Sequence, residues 1–392
     1  MSRLTVLLLA LVALVSAIPA ALADGTKGSP SNPCATPSEL GDSIEETAWR
    51  LWIAATCPVN KTQYPFVVWE NWIEQAQMYP ADPSKGLKVP NSGAPTATHI
   101  LHSSPLAIAV DPSLEVIVPG LLGAPDARCN RAKAPPPGQP NLVLCEEVRL
   151  NGATEDYIAG TNLWNRAGQA QAAANGYDIQ FPRPAVEVKV DWILLDSIGI
   201  DCAHLPSEFA RHPVHIETIH GHCFALAGMH VISKLIDKWI WATFEPQNSI
   251  TNPNRCKYLP CVDPFGSSPA KSRGESTGLT KELEQLMDAA NLAPEWRTYR
   301  LDGVQTDFSS PKLLGSSIIE GENVGVPAKQ SSCITCHALS SVKSDGTDGI
   351  TLLTRFPIKK PEPLPSDDWI RRDFVWSLSL ACPGSRFQTC AP

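Results

Sequence analysis

Pro184-Ala-Val-Glu-Val-Lys-Val-Asp-Trp192 alternates apolar and polar residues from end to end. A period of two is the mark of a half-buried strand. Glu187, Lys189 and Asp191 then form its polar face, which is ordinarily solvated. Outward from this stretch, His230-Val-Ile-Ser233 and Lys238-Trp-Ile-Trp-Ala-Thr-Phe244 are rich in β-branched and aromatic residues and read as two strands joined by a short turn. Trp296 to Leu301 reads as extended, and Asp373 to Leu380 as a late apolar strand. Helical spacing appears from Glu45 to Met78, where Trp49, Trp52 and Ile53 recur, as do Trp69, Trp72, Ile73 and Ala76. Glu146 to Asn162 reads as a further helix. Thr280 is placed to cap one that runs to about Leu292 before Pro294. The fold class expected is α+β, with a central antiparallel sheet, flanking helices and long proline-rich loops.

Composition sets outer bounds. The chain has 392 residues, 43% hydrophobic and 18% charged, so a substantial core can form. Its net charge of −8 and the lack of a long basic run argue against nucleic acid as a partner. The 36 prolines fall mostly between periodic segments and keep long helices from dominating.

The N-terminus predicts export. Arg3 precedes an apolar run from Leu4 to Val15, then Pro19, then Ala21-Leu22-Ala23 before Asp24. That is the pattern of a signal peptide over residues 1–23 with a small-residue cleavage site. The periplasm is the expected destination, and no membrane span is expected in the mature chain. A mixed α/β domain is expected over 24–325. A C-terminal segment over 326–392 carries the motif described next. Twelve cysteines suit an oxidising compartment. Apart from Cys333 and Cys336, nearest-neighbour pairing joins 34 with 57, 129 with 145, 202 with 223, 256 with 261 and 382 with 390.

Ser332-Cys333-Ile-Thr-Cys336-His337-Ala338 contains Cys-x-x-Cys-His. This is the spacing of c-type haem attachment. Two thiols on one turn add to the two haem vinyl groups, and the adjacent His337 lies under the iron as proximal ligand. A zinc ribbon wants a second Cys-x-x-Cys, which is absent. A thioredoxin-like pair wants a βαβ setting, and the surroundings are Ser- and Gly-rich instead. A single motif implies one covalent haem c.

Neither Met nor His follows His337, so any sixth iron ligand from this chain lies upstream. His230 is the favoured candidate, with Met229 and His222 next; a five-coordinate iron is the alternative. His212, His215, His220 and His222 form a dense stretch, but their spacing matches no zinc signature. Trp69, Trp72, Trp239 and Trp241 read as core or pocket wall. No Gly-x-Ser-x-Gly elbow and no phosphate-binding glycine loop is present.

The chain resembles a family of bacterial exported proteins described only as cytochrome c family proteins. The likeness rests on Glu147-Val-Arg-Leu-Asn151 with Asp156-Tyr157-Ile158, on Phe181-Pro182, on Val186-Glu-Val-Lys189 with Trp192, and on Gly228-Met-His-Val231 with Lys234. It continues through Trp239-Ile-Trp-Ala-Thr-Phe-Glu245, Ser331-Ser-Cys-Ile-Thr-Cys-His-Ala338 and Asp373-Phe-Val-Trp-Ser-Leu378. It implies haem attachment at Cys333, Cys336 and His337, and no particular substrate. The function expected is one-electron transfer by an exported monohaem c-type cytochrome working with a redox partner protein. The alternative is a haem oxidoreductase, peroxidase-like enzyme or ligand sensor with an open distal site.

Overall fold

The computed structural model describes residues 32–59, 66–80, 83, 86–87, 99–120, 126–308, 313–352 and 363–381. The expected signal peptide and the Cys382–Cys390 pair lie outside these residues. From Pro33 onward the chain forms one unit. Its frame is a nine-stranded antiparallel sheet with several helices around it.

The strands are β1 (Ile73–Glu74), β2 (Glu115–Val118), β3 (Ala127–Arg131), β4 (Val143–Leu150), β5 (Val186–Leu194), β6 (Ile216–Ile219), β7 (His222–Ser233), β8 (Ile240–Pro246) and β9 (Tyr299–Gln305). Their order is β9-β8-β7-β5-β4-β3-β2, with β1 on β4 and β6 on β7. The alternating stretch is therefore central; of the two strands expected after it, β7 pairs with it directly and β8 pairs with β7.

One face of the sheet is apolar. Val186, Val188, Val190, Met229, Val231, Ala242 and Phe244 belong there to one core with helix α1 (Ile44–Thr56). Trp52 stacks on Phe244 at 4.5 Å between ring centroids and lies 4.9 Å from Tyr299. Ring pairs of this kind add to the burial of large apolar surface. Helix α2 (Gly152–Gly160) and helix α3 (Arg166–Ala174) follow β4, and helix α4 (Lys281–Ala289) buries Leu283 and Met287 in the apolar core. Thr280 caps α4 as its sequence implies, its hydroxyl accepting from the Leu283 amide at 3.3 Å.

Four sequence expectations are corrected. The helix expected over 45–78 stops at Thr56, because Cys57 precedes Pro58 and is extended, as the proline ring requires of its neighbour. Glu146 to Asn162 divides into β4 and α2 at Asn151. Its side-chain oxygen accepts from the amides of Thr154 at 3.1 Å and Val186 at 3.0 Å, so it caps the helix and ties it to β5. Pro294–Arg297 is a 3₁₀ turn, and the strand expected from Trp296 begins only at Tyr299. Asp373 to Leu380 is not a strand: Asp373 and Phe374 are left-handed, at φ +48° and +71°, and Ser377–Leu380 is a 3₁₀ turn. The Asp373 carboxylate is held there by Lys234 at 2.7 Å and by the Phe181 amide at 2.8 Å.

The polar face of β5 is also not where alternation suggests. Glu187 and Asp191 are buried and Lys189 is half-buried. A second layer covers them, built from the π-helical segment Ser317–Val324 and helix α5 (Cys333–His337). Ionisable groups tolerate such a position only when paired or neutral.

Candidate functional site

The site forms between the polar sheet face and that second layer. Register places Lys189 beside His230, and His230 beside Thr243. Adjacent strands thus present one polar row, while Met229, one residue away, points into the apolar core.

The covering layer is anchored at both ends. Glu245 of β8 accepts from the Ser316 hydroxyl at 2.6 Å, the Ser317 amide at 2.5 Å and the Ser317 hydroxyl at 2.9 Å. This buried carboxylate holds the start of Ser317–Val324 and complements the positive end of its backbone dipole. Asn323 donates to Asp191 at 2.7 Å from the other end. π-Helical turns are uncommon and concentrate at functional sites; this one carries Glu320 over the row.

Glu320 meets His230 Nε2 at 3.0 Å, and the Thr243 hydroxyl lies 3.0 Å from Nδ1. Burial opposes charge on Glu320, but His230 and Lys189 outweigh it and hold the carboxyl down at about 2. Lys189 pairs with Glu146 at 2.9 Å; burial works against its charge too, but Glu146 and Asp191 keep it protonated. Asp191 is driven well up by burial and Glu146.

Helix α5 completes the site. Residues three and four apart share a helix face, so Cys333, Cys336 and His337 lie together while Ile334 and Thr335 are buried behind them. Gln305 accepts from the Ile334 amide at 3.1 Å, Ser332 pairs with Thr335 at 2.7 Å, and Trp376 Nε1 donates to the Cys336 carbonyl at 3.2 Å. His337 Nδ1 donates to the Phe374 carbonyl at 2.8 Å, which leaves Nε2 as the ring's lone-pair nitrogen. Burial lowers the His337 pKa to about 4, so the ring is neutral. Trp241 packs 4.4 Å from it. Burial pushes the Cys336 thiol up to about 12 and raises Cys333 as well, so neither is a ready thiolate.

Cys333, Cys336, His337 and His230 all line one solvent-connected cleft. Val324, Val326, Trp241, Ile350, Trp376 and Leu380 give it apolar walls. Its polar groups are Lys189, Glu146, Glu187, Glu320, His102 and Gln75. Sequence reading missed Glu320, which stands in no motif; a fold-level view of which elements cover the polar face of β5 is needed to find it.

The other histidines do not gather. His215 pairs with Glu70 at 2.9 Å, His212 with Glu208 at 3.1 Å, and His222 with the Pro119 carbonyl at 2.8 Å. His220 and His222 do not share a strand face: His220-Gly221 is the turn of the β6–β7 hairpin, with φ +52° and +89°. Met229 and His222 are not among the residues lining the cleft.

Glu187, on the cleft wall, makes a testable prediction. Burial, with Asp373 nearby, raises it from 4.5 to about 8. The folded chain keeps this proton where the unfolded chain has lost it. Its contribution to stability is therefore complete below pH 4.5 and is lost as pH rises through about 8. Glu187→Gln is expected to be near neutral in acid and to stabilise by on the order of a few kcal/mol at about pH 9. Melting temperature across pH for both proteins checks this; equal curves at alkaline pH would contradict it.

Four disulfides form as nearest-neighbour pairing predicts: Cys34–Cys57, Cys129–Cys145, Cys202–Cys223 and Cys256–Cys261. Each closes a short loop and stabilises by about 2–4 kcal/mol on the chain-entropy model. They mark an oxidising compartment. They also correct an expectation. Four bonded pairs, Cys256–Cys261 among them, are not a Cys-x-x-Cys-His motif, so the cysteine pairing leaves the class name cytochrome c unsupported. Among the described residues, no helix is long and apolar enough to cross a membrane. No family model matches the chain, and no curated protein and no solved structure matches it either.

Proposed function

We propose that Cys333, Cys336 and His337 hold one covalent haem c in the cleft and that the protein, exported to the periplasm, passes single electrons to and from a redox partner protein. One observation carries this. His337 donates its Nδ1 proton to a backbone carbonyl, the arrangement metal-ligating histidines use to present the other nitrogen, while two unpaired thiols line the same cleft. Those thiols stay free in a chain whose other described cysteines are all bonded, although their spacing would allow them to pair.

When bound, the haem supplies one-electron chemistry at iron. The chain's own groups do the rest. Cys333 and Cys336 would fix the group covalently, and the Phe374 carbonyl orients His337 and raises its basicity. Trp241, Val324, Val326 and Trp376 give the cleft its apolar walls, and the Lys189 and Glu320 charges bias the electrostatic potential in it.

A second reading has its own support. Both ring nitrogens of His230 already have partners, so ligation by His230 requires Nε2 to leave Glu320. If it does not, the cleft keeps an accessible face lined by an acid–base pair, which suits an oxidoreductase or a ligand sensor. The visible spectrum of the purified protein in both redox states, with and without carbon monoxide, separates the two. Electron transfer predicts a low-spin spectrum unmoved by carbon monoxide and lost in His230→Ala. A high-spin spectrum that shifts with carbon monoxide would replace the carrier by the enzyme or sensor.

A further inference from the structure

A second cleft lies on the other side of Val326, Gln330 and Ser331, which line both clefts. Cys256, Cys261, Asp302, Glu245, Asn254 and Glu322 are on its walls. Sequence reading treats Cys256–Cys261 as one more structural cross-link. Its surroundings differ from those of the other three.

Asp302 is aimed at the sulfurs. The pairing of β9 with β8 slips between Leu301 and Gly303, so Asp302 sits in a bulge that redirects its side chain. Its Oδ1 lies 3.0 Å from Cys261 Sγ and 3.8 Å from Cys256 Sγ. A disulfide sulfur has no proton to donate, so a carboxylate at that distance gains nothing from it. The contact becomes a hydrogen bond when Cys261 is a thiol, or a proton-donor position when Cys261 leaves as a thiolate. Burial and Glu245 drive the Asp302 pKa well up, so the acid has a proton to give. Arg255 Nη2 lies 3.2 Å from the same Asp302 oxygen and fixes the carboxyl in this position.

Two further features point the same way. Cys256 is left-handed, at φ +53°, a conformation that costs a non-glycine residue of order 1–3 kcal/mol. Tyr258 and Val262, on and beside that loop, are among the few large apolar side chains left exposed. They offer a contact surface for a protein that brings thiols to the cleft. Cys256 and Cys261 are themselves only 5% and 4% exposed and are reached through this cleft, whereas Cys129 and Cys145 are sealed between paired strands.

We propose that Cys256–Cys261 is a reversible redox disulfide that accepts two electrons from an exported dithiol protein, with Asp302 as its proton relay. A partner thiolate, its proton released to water, attacks Cys256 Sγ, and the Cys256–Cys261 bond breaks. Cys261 leaves and takes the proton of Asp302. The second partner thiol gives its proton to the Asp302 carboxylate and attacks the mixed disulfide. Cys256 leaves as a thiolate and takes a proton from water. The partner ends as a disulfide and this chain as a dithiol, with atoms and electrons balanced. The proposal is independent of haem attachment.

The test uses the purified mature chain. Free thiols are blocked, the protein is treated with reduced dithiothreitol, samples are quenched in acid and alkylated, and each cysteine is followed by peptide mass. Cys256 and Cys261 are expected to open at least ~10-fold faster than the other three pairs and to close again with oxidised dithiothreitol. Asp302→Asn is expected to slow that opening by at least ~10-fold and leave the other pairs unchanged. Opening no faster than Cys202–Cys223, or unchanged in Asp302→Asn, overturns the proposal. If the variant does not fold, the ranking of the four pairs in the native chain decides alone.

Discussion

Chain carrying Cys333→Ala and Cys336→Ala, made with haem-attachment machinery and exported, is expected to come out folded and colourless. Both thiols occupy one face of α5, and the sulfurs make only weak contacts, Cys333 with the Leu314 carbonyl at 3.6 Å and with Thr243, and Cys336 with Trp376. Ile334, Thr335 and the Trp376 bond to the Cys336 carbonyl remain. Removing two half-buried thiols should therefore cost about 1 kcal/mol each, well within ordinary surface-to-core losses. The loss of bound haem should be complete in denaturing conditions, because only thioether bonds survive unfolding. Each single variant should keep a reduced yield through the remaining sulfur. Intact mass and absorbance per protein read the outcome. A double variant with the same denaturation-resistant colour as the parent would end the haem proposal. Haem lost from native His337→Ala protein while the thioethers stay intact is not expected; that variant should change the spectrum instead.

Why the motif was legible and the site was not follows from the physics of each signal. Val186 to Trp192 announces a strand because alternation maps onto the pleat. The same pattern says nothing of what covers the polar side, so Lys189 reads as solvated when it faces a cleft. Cys-x-x-Cys-His is local, because one helical turn brings its three groups together without help from the rest of the chain. The Lys189–His230–Thr243 row requires the register of three strands, and Glu320 reaches it from 90 residues beyond His230. Met229 and His230 occupy opposite faces of β7, and a slip in the β5–β7 register lies between His222 and His230. Asn151 shows the opposite failure. Its capping signal was present, but apolar spacing across it concealed the end of a strand.

Asp348→Ala is expected to have the largest effect on stability. Asp348 Oδ2 meets Arg166 Nη1 at 2.8 Å and Arg372 Nη1 at 2.9 Å, and all three side chains are buried. Burial works against its charge, but Arg372 and Arg166 outweigh that and lower its pKa. The carboxylate also accepts from the Ser379 hydroxyl at 3.1 Å and the Ile350 amide at 2.9 Å. Truncation leaves two guanidinium groups in the interior with one carboxylate fewer than they need. Breaking a buried pair in this way costs about 3–5 kcal/mol, whereas exposed pairs cost a fraction of that. The consequence reaches the cleft, because Arg372 is two residues from Phe374, whose carbonyl orients His337. Urea midpoints by tryptophan fluorescence should fall accordingly, and the His337-dependent spectrum should weaken before the chain unfolds. Since the pKa of Asp348 is lowered, its contribution is present above the ordinary aspartate range and disappears as pH falls through the lowered value. The difference between parent and variant should shrink with acid. A loss under about 1 kcal/mol at neutral pH, or one that does not change with acid, would mean that the two arginines find other partners and that this triad does not hold the motif segment to the sheet.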